Sequence, residues 1–316
     1  MDLSFSVVIP TYQEANYIEK VLQFCVHADP APQQIIVVDG GSTDGTIDIV
    51  HKLREQFSSI QLINNPDKYV ANGLNLAIPL CKTDVIVRMD AHSEYESDYF
   101  KSIINTFQTV EADIVGGPTN TAFNSPTQEA IAYVYTSPFG MGNSSVHNLN
   151  YEGYTDSVTF GAWKTAIFKT TGLFDTSLKR NQDDEFHYRA KQLGFKIYQT
   201  PKIKLKYFPR NSLRALFKQY FQFGLYKPAV LKKVKTGIKL RHIIPSLLVL
   251  NVFLSLIFQN IVFSSTLIVY SLLLLCFSIF NPLRFVVKLR ILLAFIFIHF
   301  AYGIGFLGGV FLKENN

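Results

Sequence analysis

Apolar residues recur along this chain in three rhythms. Phe5–Ile9, Ile35–Val38, Ile60–Ile63 and Val85–Met89 are short, nearly unbroken apolar runs rich in β-branched side chains, the pattern of strands covered on both faces of a parallel sheet. Between them the spacing becomes helical: Ile18, Val21, Leu22 and Cys25 share one face, as do Ile47, Val50, Leu53 and Phe57. The first helix is predicted from about Glu14 to Val26 with Thr11 as its cap, and another over Ala71–Leu80. Strand, turn and helix in succession predict an α/β fold on a parallel sheet. Ligands in such sheets bind beyond the carboxyl ends of the strands, where Asp39 and Asp90 stand.

The second rhythm belongs to Leu213, Leu216, Phe217, Tyr220 and Phe221, with Arg214, Lys218 and Gln222 on another face. Such an amphipathic helix lies in a membrane interface or packs on the preceding domain. The third is uninterrupted: Ile243–Leu283 is 41 residues without Asp, Glu, Lys or Arg, and Ile291–Leu312 is another 22. At about 20 residues per crossing, three transmembrane helices are expected, at 243–260, 264–281 and 291–312, with Asn260–Ser265 as the first hairpin. Lys232, Lys233, Lys235, Lys239 and Arg241 precede the first span, and Arg284, Lys288 and Arg290 separate the second from the third. The Lys/Arg rule puts both clusters, and the N-terminal domain, on the cytoplasmic side of a multi-pass inner-membrane protein. Phe5–Ile9 is short and lacks a basic leader, so no signal peptide is expected. The domain reading is 1–207 catalytic, 208–242 basic and interfacial, 243–316 membrane.

Charge supports this division. Residues 1–201 hold 14 Lys and Arg against 23 Asp and Glu, a net −9, whereas 202–241 hold 12 basic residues and no acid. The overall +6 is therefore a basic collar before an apolar tail, which suits anionic lipid rather than nucleic acid. Cys25, Cys81 and Cys276 are scattered and form no Cys-x-x-Cys, so neither a disulfide framework nor a zinc knuckle is expected, and a reducing compartment fits.

Candidate chemistry gathers at three places. Asp90 and His92 lie two residues apart at a strand end and leave the same side of the chain, so they can share a divalent cation or simply bond nearby loop amides. Asp39 and the turn Gly40-Gly-Ser-Thr-Asp-Gly45 lack the G-x-G-x-x-G spacing. They can accept bonds from a ribose or base, or cap a helix through Ser42 or Asp44. Asp183, Asp184 and Glu185 crowd like charge, which suits a general base, or else make a solvated helix start. Ser137–Thr159, with His147, Tyr151, Tyr154 and Asp156, reads as an acceptor lid or a surface loop. Trp163, the single Trp, can stack on a sugar or fill the core.

Taken in order, Val7-Val-Ile-Pro-Thr-Tyr-Gln-Glu14, Val37-Val-Asp-Gly-Gly-Ser-Thr-Asp-Gly-Thr46 and Arg88-Met-Asp-Ala-His92 resemble the inverting family 2 glycosyltransferases of GT-A fold. Phe160-Gly-Ala-Trp-Lys164, Gly172-Leu-Phe-Asp175 and Arg180-Asn-Gln-Asp-Asp-Glu-Phe-His-Tyr-Arg189, with Ser212-Leu-Arg-Ala-Leu216 and Gln219-Tyr-Phe221 downstream, are similar to the succinoglycan-biosynthesis branch, and the resemblance covers about residues 4–235. It implies a Rossmann-like mixed sheet binding a nucleotide sugar, with UDP favoured. Pro10, Thr11 and Glu14 would shape the nucleotide pocket, Asp39 would take the uracil or ribose side, and Ser42 and Asp44 would support that loop. Asp90 would hold Mg²⁺ or Mn²⁺, with His92 where the family's Asp-x-Asp motif has its second acid; the imidazole leans the choice to Mn²⁺. Asp183, or its neighbour Asp184, would be the general base, Gln182 replacing the motif's Glu; Gly161, Ala162, Trp163 and Asp156 would face the acceptor, and Arg210 or Lys227 could reach the diphosphate. The expected reaction is transfer to a lipid-linked saccharide in exopolysaccharide or cell-surface glycan synthesis. Its rivals are transfer to polyprenyl phosphate, a non-catalytic nucleotide-sugar-binding scaffold, and a processive synthase, against which the three short spans and the missing Gln-x-x-Arg-Trp motif count.

Overall fold

The computed structural model of the chain describes residues 3–142, 144–235 and 238–311. Leu312, the last residue of the predicted third span, lies outside them, as do residues 1–2, 143, 236–237 and 313–316 of the other predicted segments. The chain divides into two compact units, one of Met1–Asn120 with Asn148–Tyr207, the other of Thr121–His147 with Phe208–Asn316. One crossing between the units falls after Tyr207, and residues 121–147 group with the second unit.

The first unit carries the α/β pattern. Strands β1 (Phe5–Thr11), β2 (Gln34–Asp39), β3 (Ile60–Asn64) and β4 (Val85–Arg88) alternate with helices α1 (Ile18–Val26), α2 (Thr46–Gln56) and α3 (Val70–Ala77), the last extended by a 3₁₀ turn at Ile78–Leu80. Then come β5 (Ser93–Tyr95), α4 (Tyr99–Thr109), β6 (Ile114–Gly117) and β7 (Asn120–Thr121) at the junction of the units. After the second unit's first segment, which holds α5 (Pro126–Thr136) and α6 (Pro138–Met141), the first resumes with β8 (Gly153–Tyr154), β9 (Thr159–Lys164), α7 (Ile167–Thr171), α8 (Gln182–Gln192), β10 (Ile197–Gln199) and β11 (Leu205–Tyr207). The main sheet runs β3-β2-β1-β4-β9-β6-β10-β8. It is mixed: β3, β2, β1 and β4 are parallel, while β9 runs antiparallel to both β4 and β6. A second, three-stranded sheet of order β5-β11-β7 stands apart, with β5 and β11 antiparallel.

Alternation along the strands feeds two cores. Val7, Ile9, Ile35, Val37, Val85 and Val87 pack on α1, α2 and α4, while Val8, Ile36, Val38 and Ile86 pack with α3, Trp163, Phe174 and Phe186. The period of two thus buries both faces, as the solid apolar runs require. Thr11 lies opposite Asp39 in register, so the ends of β1 and β2 are level.

Two predicted elements differ. The first helix begins at Ile18, not Glu14, and Thr11 is a buried strand residue rather than its cap. Ser137–Thr159 is not one loop: α6, a 3₁₀ turn at Ser145–His147, β8 and the start of β9 occupy it, and it divides between the units after His147.

The second unit is helical, completed by α9 (Leu213–Val234), α10 (Leu240–Phe258), α11 (Ile261–Ile279) and α12 (Phe285–Val310). The last three are long and apolar enough to cross a membrane. They differ in cover, however, with 11% of the apolar window buried in α10 and α11 but 44% in α12. The covering elements are identifiable. Phe139 of α6 stacks on Phe277 at 5.2 Å and meets the rings of Phe295 and His299 at 5.0 Å. On another side α9 docks by glycine: a Cβ at Gly305 would stand 2.2 Å from the Phe221 carbonyl, and one at Gly224 would stand 2.2 Å from that of Tyr302. Backbones this close exclude any side chain at these positions. The predicted amphipathic helix therefore meets α12 through Phe217, Phe221 and Gly224, while Tyr220 lies against Tyr135 and Met141. Lys232 donates to the Val310 carbonyl, whereas Arg284 pairs with Glu129 at the other end of α12. Lys232 and Arg284 thus stand at opposite ends of this helix, a separation the charge rule does not anticipate.

Candidate active site

The turn after β2 is built to hold the loop after β1. Three consecutive amides of that loop are accepted by side chains of the turn: Gln13 N–H by Ser42 Oγ at 2.8 Å, Glu14 N–H by Thr46 Oγ1 at 2.9 Å and Ala15 N–H by Asp44 Oδ2 at 3.0 Å. These bonds, with Gln13 at φ 59°, explain the late start of α1. Gly45, at φ 98°, occupies the left-handed region that opens α2 without a side-chain cap. Asp39 is buried. Its Oδ1 accepts from the amides of Gly41 and Ser42 at 2.8 Å, and its Oδ2 from Ser42 Oγ at 2.6 Å. Asp39 therefore shapes the turn first. Bonds from the Thr46 hydroxyl and the Ala15 amide hold the Asp44 carboxyl below its ordinary pKa.

The end of β4 forms the second part. Arg88 is buried and donates from Nε and Nη2 to Asp90 Oδ1 at 3.3 and 3.1 Å. Its guanidinium lies 5.3 Å from the ring of Phe160, a cation over an aromatic face. Burial opposes its charge, but Asp90 and Asp183 together raise its pKa above the ordinary value. The phenol of Tyr95 brackets Asp90, taking a bond from its N–H at 2.7 Å and facing its carbonyl at 3.1 Å. Burial chiefly, then Tyr99 and Asp90, push that phenol well above its ordinary pKa, so it stays protonated. His92 Nδ1 is 2.9 Å from Glu14 Oε1. The structure thus ties Glu14, expected in the nucleotide pocket, to the expected metal residue.

The third part is the start of α8. Asn181, at φ 60°, turns the chain into the helix. Phe186 anchors the first turn by stacking on Phe174 and Phe168 at 4.5 and 5.3 Å, leaving Asp183 and Asp184 half-buried. Glu185 is structural: Arg189 clamps both its oxygens at 2.7 and 2.9 Å. Asp183 is the member of the acidic run whose charge reaches Arg88. His187, fully within the protein, bonds Ser157 Oγ through Nδ1 at 2.9 Å, and its Nε2 has no hydrogen-bond partner among the described residues. Burial lowers its pKa against the opposing pull of Asp183 and Asp184.

Of the expected acceptor residues, Trp163 and Ala162 are 1% exposed. Trp163 packs edge-on against Phe168, Phe174 and Phe186, because β9 is an inner strand with neighbours on both sides. It is a core residue and offers no face to a sugar. Gly161 is buried in the same strand. Asp156 pairs with Lys191, and Pro10 sits in β1 opposite Val38. Arg210 and Lys227 belong to the second unit, Lys227 buried within α9. Arg88, Tyr95, Ser157 and His187 have no role in the sequence reading, although Arg88 and His187 stand inside its quoted motifs. Among the described residues no three His, Cys, Asp or Glu side chains converge as a metal cage.

The Glycosyl transferase family 2 model matches residues 6–180, more than half the chain. The succinoglycan biosynthesis protein ExoA of Rhizobium meliloti is 29% identical over 242 residues, 76% of this chain and 73% of that protein. The dolichyl N-acetyl-alpha-D-glucosaminyl phosphate 3-beta-D-2,3-diacetamido-2,3-dideoxy-beta-D-glucuronosyltransferase of Methanococcus voltae is 29% identical over 72% of this chain and 74% of its own length. Among solved structures, the mannosyltransferase PcManGT of Pyrobaculum calidifontis, in complex with GDP-Man and Mn²⁺, superposes with TM-score 0.61 at 17% identity, over 94% of this chain and 87% of that one. S. aureus TarS superposes with TM-score 0.53 at 18% identity, over 76% of this chain and 44% of that one. These likenesses give the fold as GT-A.

Proposed function

The chain belongs to glycosyl transferase family 2, and we propose that it transfers a sugar from a nucleoside-diphosphate sugar, UDP-linked, to a saccharide carried on a membrane lipid, inverting the anomeric centre. The observation that carries this is the electrostatic link from Asp183 on α8 through Arg88 to Asp90 at the end of β4. It joins a carboxylate suited to deprotonating an acceptor with the strand end where a diphosphate would sit.

In this reading the β1 loop and β2 turn, fixed by the Asp39, Ser42, Asp44 and Thr46 bonds, receive the nucleoside. Asp90 and His92 offer a carboxylate and an imidazole. This pair fits a divalent ion whose other positions are filled by phosphate oxygens and water. When bound, that ion supplies charge neutralisation of the departing diphosphate. Asp183 accepts the proton of the acceptor hydroxyl as its oxygen bonds the anomeric carbon and the bond to the diphosphate breaks. Asp184, whose N–H donates to Asp183 Oδ1 at 3.0 Å, holds that carboxylate in place. Because this is one in-line displacement, an α-linked donor gives a β-linked product.

The relatives support the acceptor class, one being named for succinoglycan biosynthesis and another for a dolichyl-linked saccharide. TarS has also been solved with UDP-GlcNAc, which supports a UDP donor. Helices α10, α11 and α12 support residence in the membrane, and Arg284, Lys288 and Arg290 favour a cytoplasmic start for α12. The test is sugar transfer by the detergent-purified chain with a panel of labelled nucleotide sugars, bacterial lipid extract and Mn²⁺ or Mg²⁺. Label entering the lipid fraction from one donor, dependent on metal and lost in Asp183→Asn and Asp90→Ala, is the expected result. Full activity in Asp183→Asn removes the assignment of the base.

A further inference from the structure

His187 is a buried titratable side chain of α8 that the transfer itself does not use. It is 1% exposed, its Nδ1 lies 2.9 Å from Ser157 Oγ, and its Nε2 is enclosed without a hydrogen-bond partner among the described residues. Enclosing an imidazole with one nitrogen unsatisfied is unfavourable for the fold, so packing alone does not account for it.

Its place on the helix is specific. Asp183, His187 and Lys191 follow one another at intervals of four residues and line one face of α8. The charges that reach the ring are the carboxylates of Asp183 and Asp184 on its own helix and the guanidinium of Arg88 on β4. Along the same face runs the strap that precedes β9. Asp156 pairs with Lys191, and the next residue, Ser157, bonds His187, so one step along the strap moves one turn closer to Asp183. Phe160, three residues further, has its ring 5.3 Å from the Arg88 guanidinium, and Arg88 in turn feels the charge of Asp183.

The sheet holds this strap. A Cβ at Gly116 of β6 would stand 2.7 Å from Val158 Cβ, and the hydroxyls of Thr159 and Thr119 bond at 2.7 Å. Phe186 seats α8 on the core by ring stacking, but apolar burial has little direction and leaves rotation about the helix axis soft. The bond from His187 to Ser157 is directional, and it lies one turn from the base.

We propose that His187 is a positioning residue for the transfer: its bond to Ser157 ties the base-bearing face of α8 to the sheet and so aims the Asp183 carboxylate at the acceptor hydroxyl. The inference rests on Asp183 being the base and adds the group that holds this base in register. Burial keeps the ring uncharged, so Arg88 stays the cation that Asp183 faces.

The test uses the full chain in detergent, with transfer followed from the labelled nucleotide sugar and lipid extract that serve the wild type. Ser157→Ala and His187→Leu should each lower kcat about tenfold, the loss of one hydrogen bond, with KM for the donor unchanged. His187→Asn, whose side-chain amide can replace Nδ1, should recover most of that rate. The double variant of His187→Leu with Ser157→Ala should be no slower than His187→Leu alone. Hydrogen exchange in the first turns of α8 should quicken about tenfold in both single variants and return in His187→Asn, with melting curves showing each variant folded at the assay temperature. Wild-type kcat in folded His187→Leu, beside an inactive Asp183→Asn, would overturn the proposal and leave the base assignment standing. A slow His187→Leu beside an unaffected Ser157→Ala would overturn it too, since the effect would not pass through the strap. Additive losses in the double variant with no recovery in His187→Asn would reduce the ring to packing. Full activity in Asp183→Asn, or no transfer by the wild type, would remove the reading underneath, whereas unchanged exchange in α8 would remove the strap's hold on the helix whatever the chemistry.

Discussion

The hydroxyl of Tyr95 touches both ends of the Asp90 residue, 2.7 Å from its N–H and 3.1 Å from its carbonyl oxygen. A phenol five residues away thus fixes the backbone that carries the candidate metal carboxylate, while Arg88 fixes the carboxylate itself.

Tyr95→Phe removes both bonds and leaves the Asp90 amide without its partner. A drop in kcat/KM of about tenfold is expected, the equivalent of one buried hydrogen bond. Steady-state kinetics at saturating metal check this, and an unaltered rate would mean that Arg88 alone positions Asp90.

Glu14 and His92 make a second testable pair. With Nδ1 committed to Glu14, ligation of a cation by His92 falls to Nε2, and the carboxylate fixes the tautomer that allows it. Glu14→Gln should weaken the apparent Mn²⁺ affinity by about 10–100-fold, as is usual for partners of metal-bound histidines. Saturating Mn²⁺ should restore the rate. A titration curve superimposable on the wild type would mean that the Glu14 charge plays no part in metal binding through His92.

His187 links stability to pH. Burial lowers its pKa from 6.5, so the folded protein holds it neutral while the unfolded chain protonates it more readily. Its contribution is complete above the ordinary value and is lost as pH falls through the lower folded one. Melting temperature measured from neutral to mildly acid pH should therefore fall less steeply in His187→Gln than in the wild type. Parallel curves would mean that the ring takes up its proton alike in the folded and unfolded chain.

Trp163→Phe separates core from acceptor site. The melting temperature should drop, whereas KM for the lipid acceptor should not change. The larger Trp163→Ala substitution should cost about 3–5 kcal/mol of stability. A raised acceptor KM in the folded Phe variant would restore the stacking role that its burial denies.

Much of this was legible because the period of apolar residues reports directly on what lies to either side of an element. Runs such as Ile35–Val38 must have cover on both faces, and the acids at their ends stand out against them. The start of α1 was illegible because its competitors, Ser42, Asp44 and Thr46, bind the loop from about thirty residues away. Tyr95 and His187 act through a backbone amide and through a serine in another element, relations that no local spacing encodes. In Phe160-Gly-Ala-Trp-Lys164 the motif was visible but the direction of its side chains was not, since β9 lies between two strands distant in sequence. The glycines of α12 read as part of an apolar span; their role in admitting α9 depends on a partner some eighty residues earlier.

Because Thr121–His147 belongs with the helical unit, the polypeptide passes between the units after residues 120, 147 and 207. No single cleavage releases the catalytic part. A fragment ending at Tyr207 keeps α5 and α6 but strips Phe139 and Tyr133 of Phe277 and Phe295, leaving a sticky apolar face that favours aggregation. Freeing the α/β unit from the apolar helices would require excision of that inner segment as well as the tail, so removing those helices and rewiring the α/β chain are the same engineering problem.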